Sequence, residues 1–399
     1  MLSAQQLGAV ALLWLAGVAL RLTILALPAV IALIKEDLNL SATQVGILTG
    51  LPVFLFAIAA LPGSLLIARI GAVSALLGGL LITAIASAFR SAAGEVVMLY
   101  ATTTLMGLGV AIMQPALPPL VRQWLSGHVG FGTAVYTNGL LVGEIVPVAV
   151  TPLVLPLMHG SWRLGLLVWS IPVMAIALLV AKAAPRDRFS SMPRPRWWPD
   201  WGSGLIWRLG LIFGGITSMY FATNGFLPVY LSSIGRSDLI GGSLTALNVG
   251  QIPASFLLLI LADRLVRRVW PYLFAAIGAL ASVVVLVSTS GYPIIVASAV
   301  LGFCCGLVLI LALALPPLLC APEDVARTSA AVFTLSYGCA VLVPVMSGLA
   351  WDWTGISRAA FLPIGFCAFI LLLLVPKINF RDADRKPAPP SALGTPRLP

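Results

Sequence analysis

Gly46-Ile-Leu-Thr-Gly-Leu51 returns about 196 residues later as Gly242-Ser-Leu-Thr-Ala-Leu247, and matching words on either side keep nearly the same offset. Leu27-Pro28 meets Leu227-Pro228, and Ala68-Arg69 meets Asp263-Arg264. Pro118-Pro119-Leu120 meets Pro316-Pro317-Leu318, and Val146-Pro147-Val148 meets Val343-Pro344-Val345. Arg163 and Arg358 each open the last apolar run of their half. One such word is what chance gives a chain rich in Leu, Ala and Val. Six in order are an internal repeat of half the chain.

The 399 residues are 60% hydrophobic and only 9% charged, against about 25% charged in an ordinary soluble domain. Too few charges remain to cover a water-facing surface, and a mean hydropathy of +1.05 excludes most soluble enzymes. The net charge of +10 does not point to nucleic acid, because the basic residues stand in short gaps between apolar runs. The five cysteines, Cys304, Cys305, Cys320, Cys339 and Cys367, are odd in number and sit mostly inside apolar runs, so no disulfide framework is read. His128 and His159 fall in loops on opposite sides of the membrane, which leaves no zinc ligand cluster.

A helix crosses a hydrocarbon core of roughly 30 Å with about 20 residues. Twelve runs qualify: 8–34, 43–66, 72–90, 95–118, 130–157, 162–181, 208–233, 239–261, 270–289, 293–319, 327–350 and 358–376. The first lacks the basic start of a cleaved signal peptide and is kept as a helix. Lys35, Arg90, Arg163, Arg236 and Arg358 fall on one side, seventeen basic residues on the other, and Arg21 inside. The positive-inside rule then predicts both termini in the cytoplasm of a multi-pass cell-membrane protein. The expected fold is an all-α membrane protein of two six-helix bundles: 1–182, a cytoplasmic linker 183–207, 208–376, and a disordered tail 377–399 rich in Pro. The linker carries Trp197, Trp198, Trp201 and Trp207, either as an interfacial amphipathic stretch or as a partner site.

Two six-helix halves repeated in the same orientation imply an axis along the membrane normal, with a site at mid-depth between halves that rock against each other. This arrangement resembles the major facilitator superfamily, which carries Gly-x-x-x-Asp-Arg-x-Gly-Arg-Arg between its second and third helices and an echo of it in the second half. Here the echo is the better copy: Asp263, Arg264, Arg267 and Arg268 are present, while the first copy keeps Arg69 and Gly71 but has Ala68 where the acid belongs. The resemblance implies a conformational clamp made by Arg69, Asp263, Arg264, Arg267 and Arg268. Plain positive-inside charge is the other reading, and Ala68 puts a first-half clamp in doubt.

A narrower resemblance joins Leu117-Pro-Pro-Leu-Val-Arg122, Val129-Gly130, Thr133, Tyr136, Ser161-Trp162-Arg163, Leu20-Arg21 and Trp351-Asp352-Trp353-Thr354-Gly355. These words are similar to those of the cyanate and nitroimidazole transporter family. Ala19 stands where that family has Asn, Leu22 where it has Pro, and Ser126 where a Pro is usual.

Arg21 and Glu144 are read as the two charges near the centre of spans, in the first and the fifth. A central Arg costs roughly 2.5–3.5 kcal/mol on an insertion scale, so such residues face a cavity or a partner. One reading is a static ion pair, whose desolvation offsets much of its attraction. The other is anion recognition by Arg21 with proton coupling through Glu144, because a carboxylate released into apolar surroundings favours its neutral form. The remaining polar candidates for a substrate site are Tyr136, Asn138, Tyr220, Asn224, Asn248, Gln251 and Tyr337, each of which could equally bond a neighbouring helix. Asn248 and Gln251, three apart, share a helical face. Gln114 lies nearer the cytoplasmic end and is the weaker choice.

Nucleophile-and-base pairs, catalytic carboxylate pairs, metal clusters and phosphate loops are not found, so an enzyme, a cofactor and direct use of ATP are not expected. The sequence reads as a secondary active transporter, by alternating access, of a small anion or small polar organic compound. The family resemblance suggests cyanate- or nitroimidazole-like substrates, and the reading of Glu144 suggests proton symport. Proton-driven efflux of drug-like compounds is the second transport reading, and a non-transporting receptor or membrane enzyme the alternative from another class. The expected partners are the substrate, protons and the lipid bilayer, with a monomer sufficient.

Overall fold

The computed structural model describes residues 4–40, 42–185 and 197–378. Lipid offers the backbone no hydrogen bonds, so each apolar run closes its own as a helix. The first half consists of α1 (Ala4–Asp37), α2 (Ala42–Ile70), α3 (Ala72–Ser91), α4 (Val96–Trp124), α5 (Val129–Val154) and α6 (Trp162–Ala183). The second begins with α7 (Gly204–Ser233), then α8 (Ile240–Val249) and α9 (Gln251–Leu265), which together make the eighth span. It continues with α10 (Trp270–Ser288), α11 (Tyr292–Leu313) and α12 (Leu315–Leu319), α13 (Val325–Thr354) and α14 (Phe361–Leu374). Among the described residues twelve spans are long and apolar enough to cross a membrane. Their number is even, so Ala4 and Ile378 lie at the same face, which we call the terminal face.

Two spans are broken where proline removes a backbone donor. Pro253 cannot bond the carbonyl of Val249, and the eighth span breaks at Gly250. Pro316 and Pro317 do the same to the tenth at Ala314.

The packing repeats with the sequence. α1 lies along α5 in the first half, and α7 along α13 in the second; α3 packs on α4 and α6 as α10 packs on α11 and α14. The halves meet through α2 against α13 and α5 against α9, again a repeated pair. Glycine sets the closest approaches: a Cβ at Gly139 would fall on the Trp14 carbonyl, and one at Gly143 on that of Val18. Gly139 and Gly143 are four apart on one face of α5, the small-x-x-x-small spacing that lets membrane helices touch along their backbones. Gly302 and Gly306 of α11 do the same for α8 and α9, against Leu247 and Gln251.

Arg90, read from sequence as the end of the third span and counted among the basic residues of one face, lies inside α3 and is fully buried. Its Nη1 donates to the Thr23 carbonyl at 3.0 Å and to Met106 Sδ at 2.8 Å, so the interior holds a third charge besides Arg21 and Glu144. α7 starts at Gly204, which puts Trp207 and Arg208 on its first turns. Residues 186–196 of the linker and the tail from 379 onward lie outside the described residues, so the amphipathic reading of the former and the disorder expected of the latter are not addressed.

Candidate functional site

The close approach of α1 and α5 brings Arg21 to Glu144, since Gly143 seats against Val18, one turn before Arg21. Arg21 Nε donates to Glu144 Oε1 at 3.1 Å. Its Nη2 donates to the Tyr337 hydroxyl at 3.1 Å, which crosses from the first half to α13 of the second. Gln114 Nε2 of α4 reaches the same hydroxyl at 2.7 Å. The guanidinium carbon stands 5.2 Å from the centre of the Phe56 ring, which in turn lies 5.1 Å from that of Tyr337. A cation over an aromatic face adds roughly 0.5–2 kcal/mol, more where water is excluded.

This cluster sits at the neck between two chambers. The larger, about 580 Å³, lies toward the face opposite the termini and is walled by Ile24, Leu25, Pro28, Val53, Phe56, Ile145, Val148, Leu244 and Asn248, among others. The smaller, about 50 Å³, lies toward the terminal face among Gln114, Phe213, Thr217, Cys305, Leu309, Leu313 and Tyr337. Arg21, Glu144, Tyr220 and Gln251 line both. Arg21 is buried, and its Nη1 has no hydrogen-bond partner among the described residues; nor does Gln114 Oε1. Buried polar atoms without partners are costly, and here they belong to side chains that line a cavity. A ligand offering an acceptor to Arg21 would satisfy what the protein leaves open.

In the second half Tyr220, Asn224 and Asn248 bond one another. The Tyr220 hydroxyl donates to Asn248 Oδ1, Asn248 Nδ2 to Asn224 Oδ1 at 3.0 Å, and Asn224 Nδ2 to the Tyr220 carbonyl at 2.9 Å. Tyr220 and Asn248 face the large chamber, while Asn224 buttresses them. Asn138 and Tyr136 line neither chamber. Asn138 accepts from Trp14 Nε1 at 3.0 Å and donates to Ser255 Oγ at 3.1 Å, tying α1, α5 and α9 together. Tyr136 is buried, its hydroxyl without a partner among the described residues. Phe56 and Phe221 complete the walls; an aromatic in an apolar run carries no sign of its orientation, so the sequence did not single them out.

At the terminal face the halves are closed on each other. Asp263 Oδ1, at the end of α9, accepts from Phe131 N at 3.0 Å in the first turn of α5, and its Oδ2 lies 3.5 Å from His128 Nδ1. A carboxylate there meets the positive end of the helix dipole. Arg122 Nη1 donates to the carbonyls of Pro317, at 2.7 Å, and Cys320, which places a cation at the C-terminal end of the tenth span. Arg69 ends α2, Arg264 lies on the last turn of α9, and Arg267 and Arg268 follow it, all exposed at this face.

Two six-span bundles closed at one face around a polar-necked central cavity define a membrane transporter of small substrates. Residues 13–247 match the sequence pattern of the Major Facilitator Superfamily. The chain belongs to that superfamily. It is 25% identical over 251 residues to the uncharacterized transporter YycB of Bacillus subtilis (strain 168), covering 62% of each chain. It is 25% identical over 239 residues to the cyanate transport protein CynX of Escherichia coli (strain K12), and 26% identical over 233 residues to that organism's 2-nitroimidazole transporter. These alignments cover 59% and 57% of this chain and 62% and 58% of the relatives, so the chain spans about three-fifths of the curated relatives it matches. Among solved structures it is similar to the E. coli fucose:proton symporter FucP, with TM-score 0.70 and 17% identity over 93% of this chain and 98% of that one. It is also similar to the human organic anion transporter MFSD10, with TM-score 0.73 and 13% identity over 93% and 99%. Both likenesses bear on the fold.

Proposed function

We propose that the protein is a secondary active transporter of a small anion or small polar organic compound, driven by the proton gradient. The observation that carries this reading is Arg21: buried, held by Glu144 and Tyr337, and left with one unpartnered nitrogen beside the cavity. The substrate's acceptor binds Arg21, Glu144 is released, and the freed carboxylate takes a proton that crosses with the substrate. Tyr220, Asn248, Gln251 and Tyr337 complete the pocket; Asn224, Asn138 and Tyr136 support it from behind. Asp263, on the start of α5, and Arg69, Arg264, Arg267 and Arg268 at the same face form the clamp of the terminal face, which is the cytoplasmic one by the distribution of positive charge. The named activities of CynX and the 2-nitroimidazole transporter support compounds of cyanate or nitroimidazole type. One copy of the chain contains the whole site and acts as a monomer in the cell membrane.

Efflux of drug-like compounds has one observation in its favour, the apolar walls and size of the large chamber. Proteoliposome uptake of a panel of small anions, nitroimidazoles and cationic drugs, with and without a proton gradient, separates the readings. Gradient-stimulated uptake of one anion or nitroimidazole, lost in Arg21→Ala, is expected. Uptake that survives Arg21→Ala overturns the assignment of Arg21, and movement of cationic drugs alone establishes the second reading.

A further inference from the structure

The repeat gives each contact between the halves a mate. Asp263 corresponds to Ala68, Phe131 to Arg327 and His128 to Asp324, and α13 begins at Val325 as α5 begins at Val129. The clamp of Asp263 on the start of α5 therefore has a mate position between the end of α2 and the start of α13. The carboxylate is missing there, because residue 68 is alanine.

Two main-chain carbonyls of the segment joining the halves occupy that position. Ser64, one turn before Ala68 on the same face of α2, shares its single hydroxyl proton between the Leu61 carbonyl of its own helix and the Trp197 carbonyl, each at 2.9 Å. Arg327 Nη1 donates to the Trp198 carbonyl at 3.4 Å, while its Nε holds Asp324 Oδ1 at 2.6 Å. The substitution has a physical reason. The mate of His128 is Asp324, so an acid at position 68 would face a like charge, whereas a carbonyl accepts hydrogen bonds without carrying one.

The segment is shaped to present these oxygens. Trp201 N bonds the Pro199 carbonyl at 3.1 Å, Ser203 N that of Asp200 at 2.9 Å, and Trp207 Nε1 of α7 that of Trp201 at 2.9 Å. These bonds fix the segment to α7, which packs along α13, and the rings of Trp197 and Trp198 meet edge-on at 5.2 Å. Arg327 thus anchors it within its own half, and Ser64 is the bond that crosses.

We propose that the Trp197–Trp198 segment is a working part of the gate, a strap whose carbonyls replace the carboxylate missing at position 68 and hold α2 to α13 while the cavity faces the other side. The anchored half of the strap stays with α13 when the bundles rock. The Ser64 bond breaks.

Hydrogen–deuterium exchange of the full chain in lipid nanodiscs tests this. Ser64→Ala and Arg327→Gln are each expected to raise exchange in segments 66–72 and 322–329 by about two- to fivefold, the worth of one partly exposed hydrogen bond. Arg327→Gln alone also raises it in 197–203. The double variant matches Arg327→Gln, since a released strap offers Ser64 nothing, and Ser64→Thr, which keeps the hydroxyl, stays at the wild-type level. Exchange that rises in 197–203 but not in 66–72 and 322–329 makes the segment a passive connection and overturns the proposal. Additive effects of the two substitutions, or no effect of either, overturn it as well.

Discussion

Replacing Glu144 by Gln keeps the shape of the side chain and an oxygen for Arg21 Nε, but removes the charge that balances a buried guanidinium. At 3.1 Å and an effective dielectric of about 20 the attraction is roughly 5 kcal/mol before desolvation is set against it. Leaving one member of a buried pair uncompensated costs about 3–5 kcal/mol. Glu144 keeps 24% of its side chain exposed, Tyr337 still accepts from Nη2, and Gln still accepts from Nε, so about 2 kcal/mol of destabilisation is expected. The sharper consequence lies in binding. On the proposed reading an anion displaces a carboxylate from Arg21 in the wild type and only a neutral amide in Glu144→Gln, so it binds the variant more tightly. A ligand at a hundred times its Kd stabilises a protein by about 2.7 kcal/mol, so a transported anion restores the variant to near the stability of the unliganded wild type. Thermal unfolding in detergent, followed by tryptophan fluorescence over a series of anion concentrations, reads both quantities. A variant that melts with the wild type and binds the anion no more tightly refutes the reasoning, because the pair would then neither hold the charge nor compete with substrate.

Gly143→Leu drives a side chain into the α1 backbone at Val18, and is expected to lose folded protein or all uptake in a size-exclusion and transport assay, whereas Gly78→Leu, in open space, leaves both intact. Arg122→Ala removes two bonds to the end of the tenth span and is expected to raise amide exchange around 316–321 severalfold with little change in substrate Kd. At the opposite face the donated bonds of Arg163, at 2.7 Å, and Trp162, at 3.0 Å, hold the Asp37 carboxyl below its usual range. Its stabilising share is therefore present above the ordinary carboxylate value of about 3.8 and is lost as pH falls through the lowered one, so acid melting curves of Asp37→Asn are expected to fall less steeply there than those of the wild type.

What the sequence made legible follows from the solvent. In lipid a charge or a helix break is expensive, so the twelve spans, the repeat, Arg21 and Glu144 stood out against an apolar background. Orientation around each helix did not. A helix apolar on all sides has no stripe to mark its inward face, and Asn138, Tyr136 and Asn224 looked as good as Tyr220 until packing placed them; only the shared face of Asn248 and Gln251 set those two slightly ahead. Gln114 was set low for its depth along α4, yet it shares the Tyr337 hydroxyl with Arg21. Arg90 was counted among the basic residues of one face because it closes the third apolar run; its burial on α3 needed the helices on either side of it. The spacing of Gly139 and Gly143 was there to be read, and it was the signal that α5 would press Glu144 against α1.

The halves share a fold but not a chemistry. By the repeat, the mate of Arg21 is Phe221 and that of Glu144 is Val341, while the mate of Tyr337 is Leu140. The ionised groups of the cavity thus belong to the first half, and the second contributes neutral hydroxyls and amides. Arg21 spans the division, with Nε on Glu144 of its own half and Nη2 on Tyr337 of the other, beside Gln114, which reaches the same hydroxyl. A ligand shifts a conformational equilibrium only by as much as its affinity differs between the states. An acceptor that draws Arg21 away from Tyr337 weakens a bond between the bundles at the cavity neck, in the same act by which it is bound. On the proposed reading recognition and rocking draw on the same guanidinium, and a substitution at Tyr337 should alter the rate of turnover more than the affinity for substrate: Tyr337→Phe is expected to change the maximal uptake rate severalfold with KM nearly constant. A variant in which KM rises while the maximal rate stays put would place Tyr337 in substrate binding alone and separate the two events.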